Sequence, residues 1–171
     1  MKMINVSEVS KLFHVDEETI RRWARAGKIP TKKYGRKWLF NYATITGEQS
    51  ETDAKELLGR TAIRQKPHYS FDILFDNKRI EVKSASLRYY KKRLYSWMFT
   101  DVGIDKNDFY LFMCYDDKHQ NLLRSYFIDS KKVKMLKNKK MFSFYISVND
   151  VSLNKYRVFK LNFIKGGEYH A

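Results

Sequence analysis

The sequence predicts a mixed α/β fold of the α+β kind, with a small N-terminal module of helices and a hairpin and a larger part read mostly as strands. Three observations carry this. Residues 1–46 hold two short helical patterns with capping signals, then a ribbon around a glycine turn. From about residue 70 onward, aromatic and β-branched runs read mostly as strands. Between them, Thr44-Ile-Thr-Gly-Glu-Gln-Ser-Glu51 is polar and contains a glycine. The junction is placed there, giving parts 1–46 and 47–171.

Bulk properties narrow the function classes. With 43% apolar and 16% aromatic residues, the chain can bury a core and is not expected to be disordered. Against 34 Lys+Arg stand 19 Asp+Glu, a net charge of +15. Such a surface attracts polyanions, of which nucleic acid is the commonest in a cell. No apolar run approaches the roughly 18 residues of a membrane-spanning helix, so no membrane association is expected. The opening residues Met1 to Glu8 turn polar too soon for a signal peptide. The single cysteine, Cys114, excludes an intramolecular disulfide and a cysteine-based zinc cage; it reads as a buried thiol in the run Phe109–Tyr115. His14, His68, His119 and His170 show no metal-ligand spacing. A reducing, cytoplasmic setting is expected.

In the N-terminal part, Ser7 to Phe13 reads as a first helix with Val6, Val9 and Leu12 on one side. Asp16 is placed to cap a second helix that runs to about Ala26, and Gly27 to end it. Ile20, Trp23 and Ala24 share the packed face of that helix, while Glu18, Arg21, Arg22 and Arg25 share another. An apolar back with arginines in front is what entry into a major groove requires. Two short strands follow around Tyr34-Gly35-Arg36, decorated by Lys28, Lys32, Lys33, Arg36 and Lys37, as on a ribbon lying along phosphates. The run Asn5–Pro30, above all Thr19-Ile-Arg-Arg-Trp and Gly27-Lys-Ile-Pro30, resembles the winged helix-turn-helix of excisionase-like and MerR-like proteins. The resemblance implies double-stranded DNA as partner and places Thr19, with the arginines, on the contacting helix. The long dimerisation helix of MerR-type regulators has no counterpart after the ribbon.

The second part holds the chemistry. In Tyr69-Ser-Phe-Asp72-Ile-Leu-Phe-Asp-Asn-Lys-Arg-Ile-Glu81-Val-Lys83, apolar and polar residues alternate on both sides of a turn at Asp76-Asn77-Lys78. Period two puts Glu81 and Lys83 on one side of the second strand, and hairpin pairing brings Asp72 alongside Glu81. Two carboxylates suit a hard cation such as Mg²⁺, which offsets phosphate charge and acidifies a bound water. Lys83 can hold that water and stabilise negative charge in the transition state. The spacing Asp-x8-Glu-x-Lys resembles that of the PD-(D/E)XK nucleases, with Phe71 in place of the proline. The resemblance implies a restriction-endonuclease-like mixed-sheet core. It further implies metal ligands Asp72, Glu81 and, from the main chain, Val82, and Mg²⁺ or Mn²⁺ as cofactor. An acidic residue from the preceding helix often joins the family's site. Among Glu48, Glu51 and Glu56, helical phase relative to Ala54, Leu57 and Leu58 selects Glu51 over Glu56, with a role as an N-terminal dipole partner the competing explanation for it.

Downstream, Arg88-Tyr-Tyr-Lys-Lys-Arg-Leu-Tyr-Ser-Trp97 interleaves basic and aromatic residues, as for phosphate contacts with stacking, or as a solvated loop with its aromatics turned inward. The run Lys131–Lys140 reads as a solvated basic face. Phe142–Val148 and Tyr156–Leu161 read as further strands. The expected activity is sequence-directed, Mg²⁺-dependent hydrolysis of DNA by a homodimer or higher homo-oligomer. Two alternatives are an excisionase-like binding protein with an inert nuclease-like core, and a nuclease specific for branched DNA.

Overall fold

The computed structural model describes residues 2–65, 71–90, 94–102, 107–136 and 143–158. Contacts divide the chain into two units, Met1–Ser50 and Glu51–Ala171.

In the first unit, strand β1 (Met3–Ile4) precedes helices α1 (Val6–Phe13) and α2 (Glu17–Arg25), and the hairpin strands β2 (Lys32–Tyr34) and β3 (Lys37–Asn41) follow. Local chemistry sets each boundary. Asn5 and Glu8 exchange side-chain bonds with each other's amides, a reciprocal cap that begins α1. The Asp16 carboxylate accepts from the Thr19 amide at 2.8 Å and begins α2. Gly27, at φ +66°, ends it, and the Lys28 amide turns back to the Trp23 carbonyl. Val6, Val9, Leu12, Ile20, Ala24, Ile29, Phe40 and Ile45 form the core, with Trp23 packed against it and meeting Phe13 edge-on. The hairpin turns at Gly35 and Arg36, and β1 adds to β3 through Met3↔Asn41 and Ile4↔Phe40. That third strand, only two residues long, gives too short a pattern to be read from sequence.

Thr44–Glu51, expected as the junction, contains the division between the units, at Ser50 and Glu51, but it is helical and not a linker. Helix α3 runs unbroken over Tyr42–Leu58, and the division between the units falls within it. Its polar residues fit because their hydroxyls bond back to the helix: Thr46 donates to the Tyr42 and Ala43 carbonyls and Ser50 to that of Thr46. Gly47 costs a mid-helix position only about 1 kcal/mol.

The second unit is built on a five-stranded sheet in the order β10-β9-β6-β5-β4. These are β4 (Ile63–Arg64), β5 (Ile73–Phe75), β6 (Lys78–Ser86), β9 (Phe109–Tyr115) and β10 (Leu122–Asp129). All neighbours are antiparallel except β6 and β9, so the sheet is mixed and the α+β class holds. Parallel neighbours need a crossover. Here it includes the hairpin β7 (Arg88–Tyr90) and β8 (Leu94–Phe99), which pairs with β11 (Phe144–Ser147) in a second sheet. Strand β9 is covered on both faces, which is why it reads as an unbroken apolar run. On one face, Leu111 and Met113 pack with Ile73, Ile80 and with Ala54 and Leu58 of α3. On the other, Tyr110, Phe112 and Cys114 pack with Ala85, Trp97, Ile128 and Val133, the last from helix α4 (Ser130–Leu136). Burial pushes the Cys114 thiol well above its ordinary value, so it is an inert core residue.

Two late expectations change. The strand expected at 142–148 is β11, Phe144–Ser147, with residue 142 outside the described residues. The strand expected at 156–161 is a 3-10 turn, Asn154–Tyr156, followed by a single bridge of Arg157 to Tyr126 on the edge of β10. Residues 159–161 lie outside the described residues, as do 91–93 of the basic-aromatic segment and 137–140 of the lysine run.

Candidate active site

The hairpin of β5 and β6 closes through Asp76 and Asn77, both left-handed at φ +49° and +58°. That two-residue turn matches the twist of the strands and suits Asp and Asn. It fixes the register Ile73↔Ile80, Leu74↔Arg79 and Phe75↔Lys78. Continued by one pair, the register sets Asp72 against Glu81, as the spacing predicts. The Asp72 amide donates to the Ile80 carbonyl at 3.0 Å, and the Asp72 carboxylate Oδ2 accepts from the Val82 amide at 2.7 Å. Lys83 Nζ lies 2.9 Å from Glu81 Oε1, with both side chains less than a quarter exposed. The three residues of the motif therefore gather at one stretch of paired strand.

Electrostatics mark this stretch. Burial, then the charge of Glu81 and that of Glu51, push the Asp72 carboxyl up from 3.8 to about 6, against the Val82 amide and Lys83. Asp72 is thus a carboxylate crowded by burial and by like charge. Glu51 lies in the interior of α3, so the competing role as a helix N-terminal partner does not arise; Glu56 is exposed. The Glu51 carboxylate is 2.5 Å from Arg64 Nε on β4 (Ile63–Arg64). Glu81 is turned to Lys83, Glu51 to Arg64 and Asp72 to the Val82 amide. Accordingly, among the described residues no three His, Cys, Asp or Glu side chains close into a ready-made metal cage.

The first unit presents a different surface. Lys28, Lys32, Lys33, Arg36 and Lys37 are all exposed on and beside the hairpin. On α2, Arg21 pairs with Glu17 at 2.6 Å and with Glu18 at 3.7 Å, and Arg25 pairs with Glu18. Arg22 is exposed and has no carboxylate partner among the described residues. Thr19 is also engaged, donating to Asp16 Oδ2 at 2.8 Å. Sequence periodicity places all three arginines on the surface, but only pairing distinguishes them: two are held by their own helix and one is open to a ligand.

Residues 3–45 match the family model described as "Helix-turn-helix domain", a DNA-binding type of module. No curated protein matches the chain. Among solved structures, the bacterial homing endonuclease I-Ssp6803I is similar with a TM-score of 0.46 and 14% identity, over 69% of this chain and 88% of that one. That likeness is too distant to carry its activity across. No helix among the described residues is long and apolar enough to cross a membrane.

Several residues around the site carry no motif. Arg64 lies on a strand of two residues, and only the fold brings it to Glu51. A second group ties α3 to the sheet: the Tyr115 hydroxyl donates to Asp53 at 2.5 Å, and the buried His119 ring stacks on Tyr115 with centroids 4.0 Å apart. His119 Nδ1 is 2.9 Å from Ser86 Oγ, at the end of β6. This network fixes α3, and with it Glu51, against the strand that bears Glu81 and Lys83. The two hydrogen bonds of this network join residues 33 and 62 positions apart, beyond any local pattern.

Proposed function

We propose that the chain is a DNA endonuclease of the PD-(D/E)XK type, hydrolysing phosphodiester bonds at Asp72, Glu81 and Lys83, with the helix-turn-helix module holding the duplex. The observation that carries this is the half-buried grouping of Asp72, Glu81 and Lys83 on one stretch of paired strand, with Asp72 latched to the Val82 amide at 2.7 Å and Lys83 2.9 Å from Glu81. Carboxylates crowded in this way are hard oxygen donors whose repulsion a divalent cation relieves, so the residues present fit Mg²⁺ or Mn²⁺. Asp72 and Glu81, with the Val82 main chain, would hold it. When bound, the ion supplies charge neutralisation at the phosphate and a more acidic water.

The chain's own residues do the rest. The Val82 amide orients Asp72 by fixing one carboxylate oxygen. Lys83 orients Glu81 and offers a cation to the phosphate as charge builds on it. Glu51, steadied by Arg64, adds negative charge at the edge of the site. Arg22 and the hairpin lysines bind the duplex and set its position. Cutting both strands needs two such sites, hence a homodimer or higher homo-oligomer on a symmetric sequence.

The test is incubation of mixed duplex DNA with the protein and Mg²⁺, with Asp72→Ala in parallel. Cleavage by wild type that falls by about a hundredfold or more in the variant is expected. A wild type that shifts DNA without ever cutting it overturns the reading. That outcome would favour a second one, a DNA-binding regulator with an inert core, which the helix-turn-helix match supports by itself.

A further inference from the structure

Beside the candidate site lies a cavity of about 470 Å³, lined among others by Lys78, Arg79, Asp108, Asp129, Lys131 and Lys134. Its volume is that of a ligand pocket, roughly 300–1,000 Å³. Its charge balance is uneven. Both oxygens of Asp108 are taken by Arg79, at 3.0 and 3.1 Å from the guanidinium and 2.8 Å from the amide. Those bonds hold the Asp108 carboxyl below its ordinary range and keep Arg79 charged. Asp129 spends one oxygen on the Lys131 amide at 2.7 Å. Lys78, Arg79, Lys131 and Lys134 line the cavity against two carboxylates, Asp108 and Asp129, so its lining is cationic on balance.

Its location is set by the sheet. Val133 of α4 and Ala85 of β6 belong to one core cluster, so α4 lies over the face that the odd-numbered residues of β6 share. Arg79, Glu81 and Lys83 are on that face, and Arg79 precedes Glu81 by two residues, roughly 7 Å along the strand. Burial of Val133 turns Lys131 and Lys134, three apart, outward together. Part of a lysine run that reads as a diffuse basic face is thus gathered around one concavity next to the carboxylates.

We propose that this cavity is a backbone-phosphate subsite, which takes a phosphate of the same nucleic-acid strand that reaches Glu81 and Lys83. The proposal rests on the nuclease reading for its register with the cut, but its test does not. Binding of the full-length protein to a duplex is measured by fluorescence anisotropy in EDTA over a range of salt. Wild type is compared with Lys131→Ala/Lys134→Ala and with a control pair on the same unit, Lys55→Ala/Lys118→Ala, both exposed and away from the cavity. Each neutralised phosphate contact contributes about 0.9 to the slope of log K against log salt. The cavity pair is expected to lower that slope by about 1 to 2 and to weaken binding about tenfold at low salt; the control pair is expected to change neither. An equal effect of both pairs, which marks diffuse attraction, overturns the subsite, as does no effect of the cavity pair. Inorganic phosphate that competes equally with wild type and the cavity variant overturns it as well. A wild type that binds with the expected slopes yet never cuts in Mg²⁺ removes the nuclease reading and leaves the subsite standing.

Discussion

The two units handle charge in opposite ways. In the first, the arginines of α2 are exposed, and their partners, Glu17 and Glu18, lie within two turns of the same helix. In the second, Asp72, Glu81 and Lys83 are half-buried and depend on strand pairing. Exposed pairs of this kind contribute little to stability and leave the surface available to a ligand. Half-buried like charges raise the energy of the folded chain and perturb proton affinity, the usual mark of a working site. On the proposed reading, the first unit binds and the second holds crowded negative charge that a divalent cation would offset.

This contrast can be broken or sharpened experimentally. The largest effect is expected from Asp72→Ala, with cleavage down about a hundred- to a thousandfold while duplex binding through the first unit stays within about twofold. A parallel loss of binding, measured by anisotropy, would erase the division of labour.

Next comes the pH dependence of stability. The Asp72 carboxyl titrates near 6 in the folded chain against 3.8 ordinarily. Well below pH 4 it is protonated in both folded and unfolded chains. As pH rises from about 4 through 6, the folded chain keeps a proton that the unfolded one has lost. Above that range it carries a buried charge costing up to roughly 3 kcal/mol. Asp72→Asn is therefore expected to stabilise the metal-free protein at pH 8 by up to that amount and to have little effect at pH 4. Urea melts at the two pH values check this; equal effects at both would contradict it.

Smaller still is the effect of Arg22→Ala, about 1 to 3 kcal/mol in specific binding, against a smaller change for Arg21→Ala or Arg25→Ala. Equal losses from all three would mean that DNA displaces the pairs with Glu17 and Glu18. Least of all, Glu51→Gln is expected to lower the Asp72 titration midpoint measurably by NMR, whereas Glu56→Gln, exposed on the same helix, leaves it unchanged.

How far sequence reaches follows the same line between the units. Caps, helix faces and the Gly35 turn depend on residues a few positions apart, so Asp16, Gly27 and the Ile20–Ala24 stripe are legible directly. The β5–β6 hairpin is legible for the same reason, since a two-residue turn sets the register of Asp72 with Glu81. Arg64, Asp53 and His119 were not, because their partners are reached only through the closed sheet. The polar run Thr44–Glu51 marks the boundary between the units but hides its helix, because Thr46 and Ser50 satisfy their hydroxyls within it. Ion pairing was equally hidden: one helix face held all three arginines, but side-chain geometry leaves Arg22 exposed and apart from Glu17 and Glu18.

The central claim, that Lys83 acts on the phosphate beside the two carboxylates, is tested most directly by single-turnover cleavage of one duplex with saturating protein and Mg²⁺. Lys83→Ala is expected to bind that duplex as wild type does and to cleave it at least a hundredfold more slowly. Cleavage by Lys83→Ala at the wild-type rate would contradict the assignment.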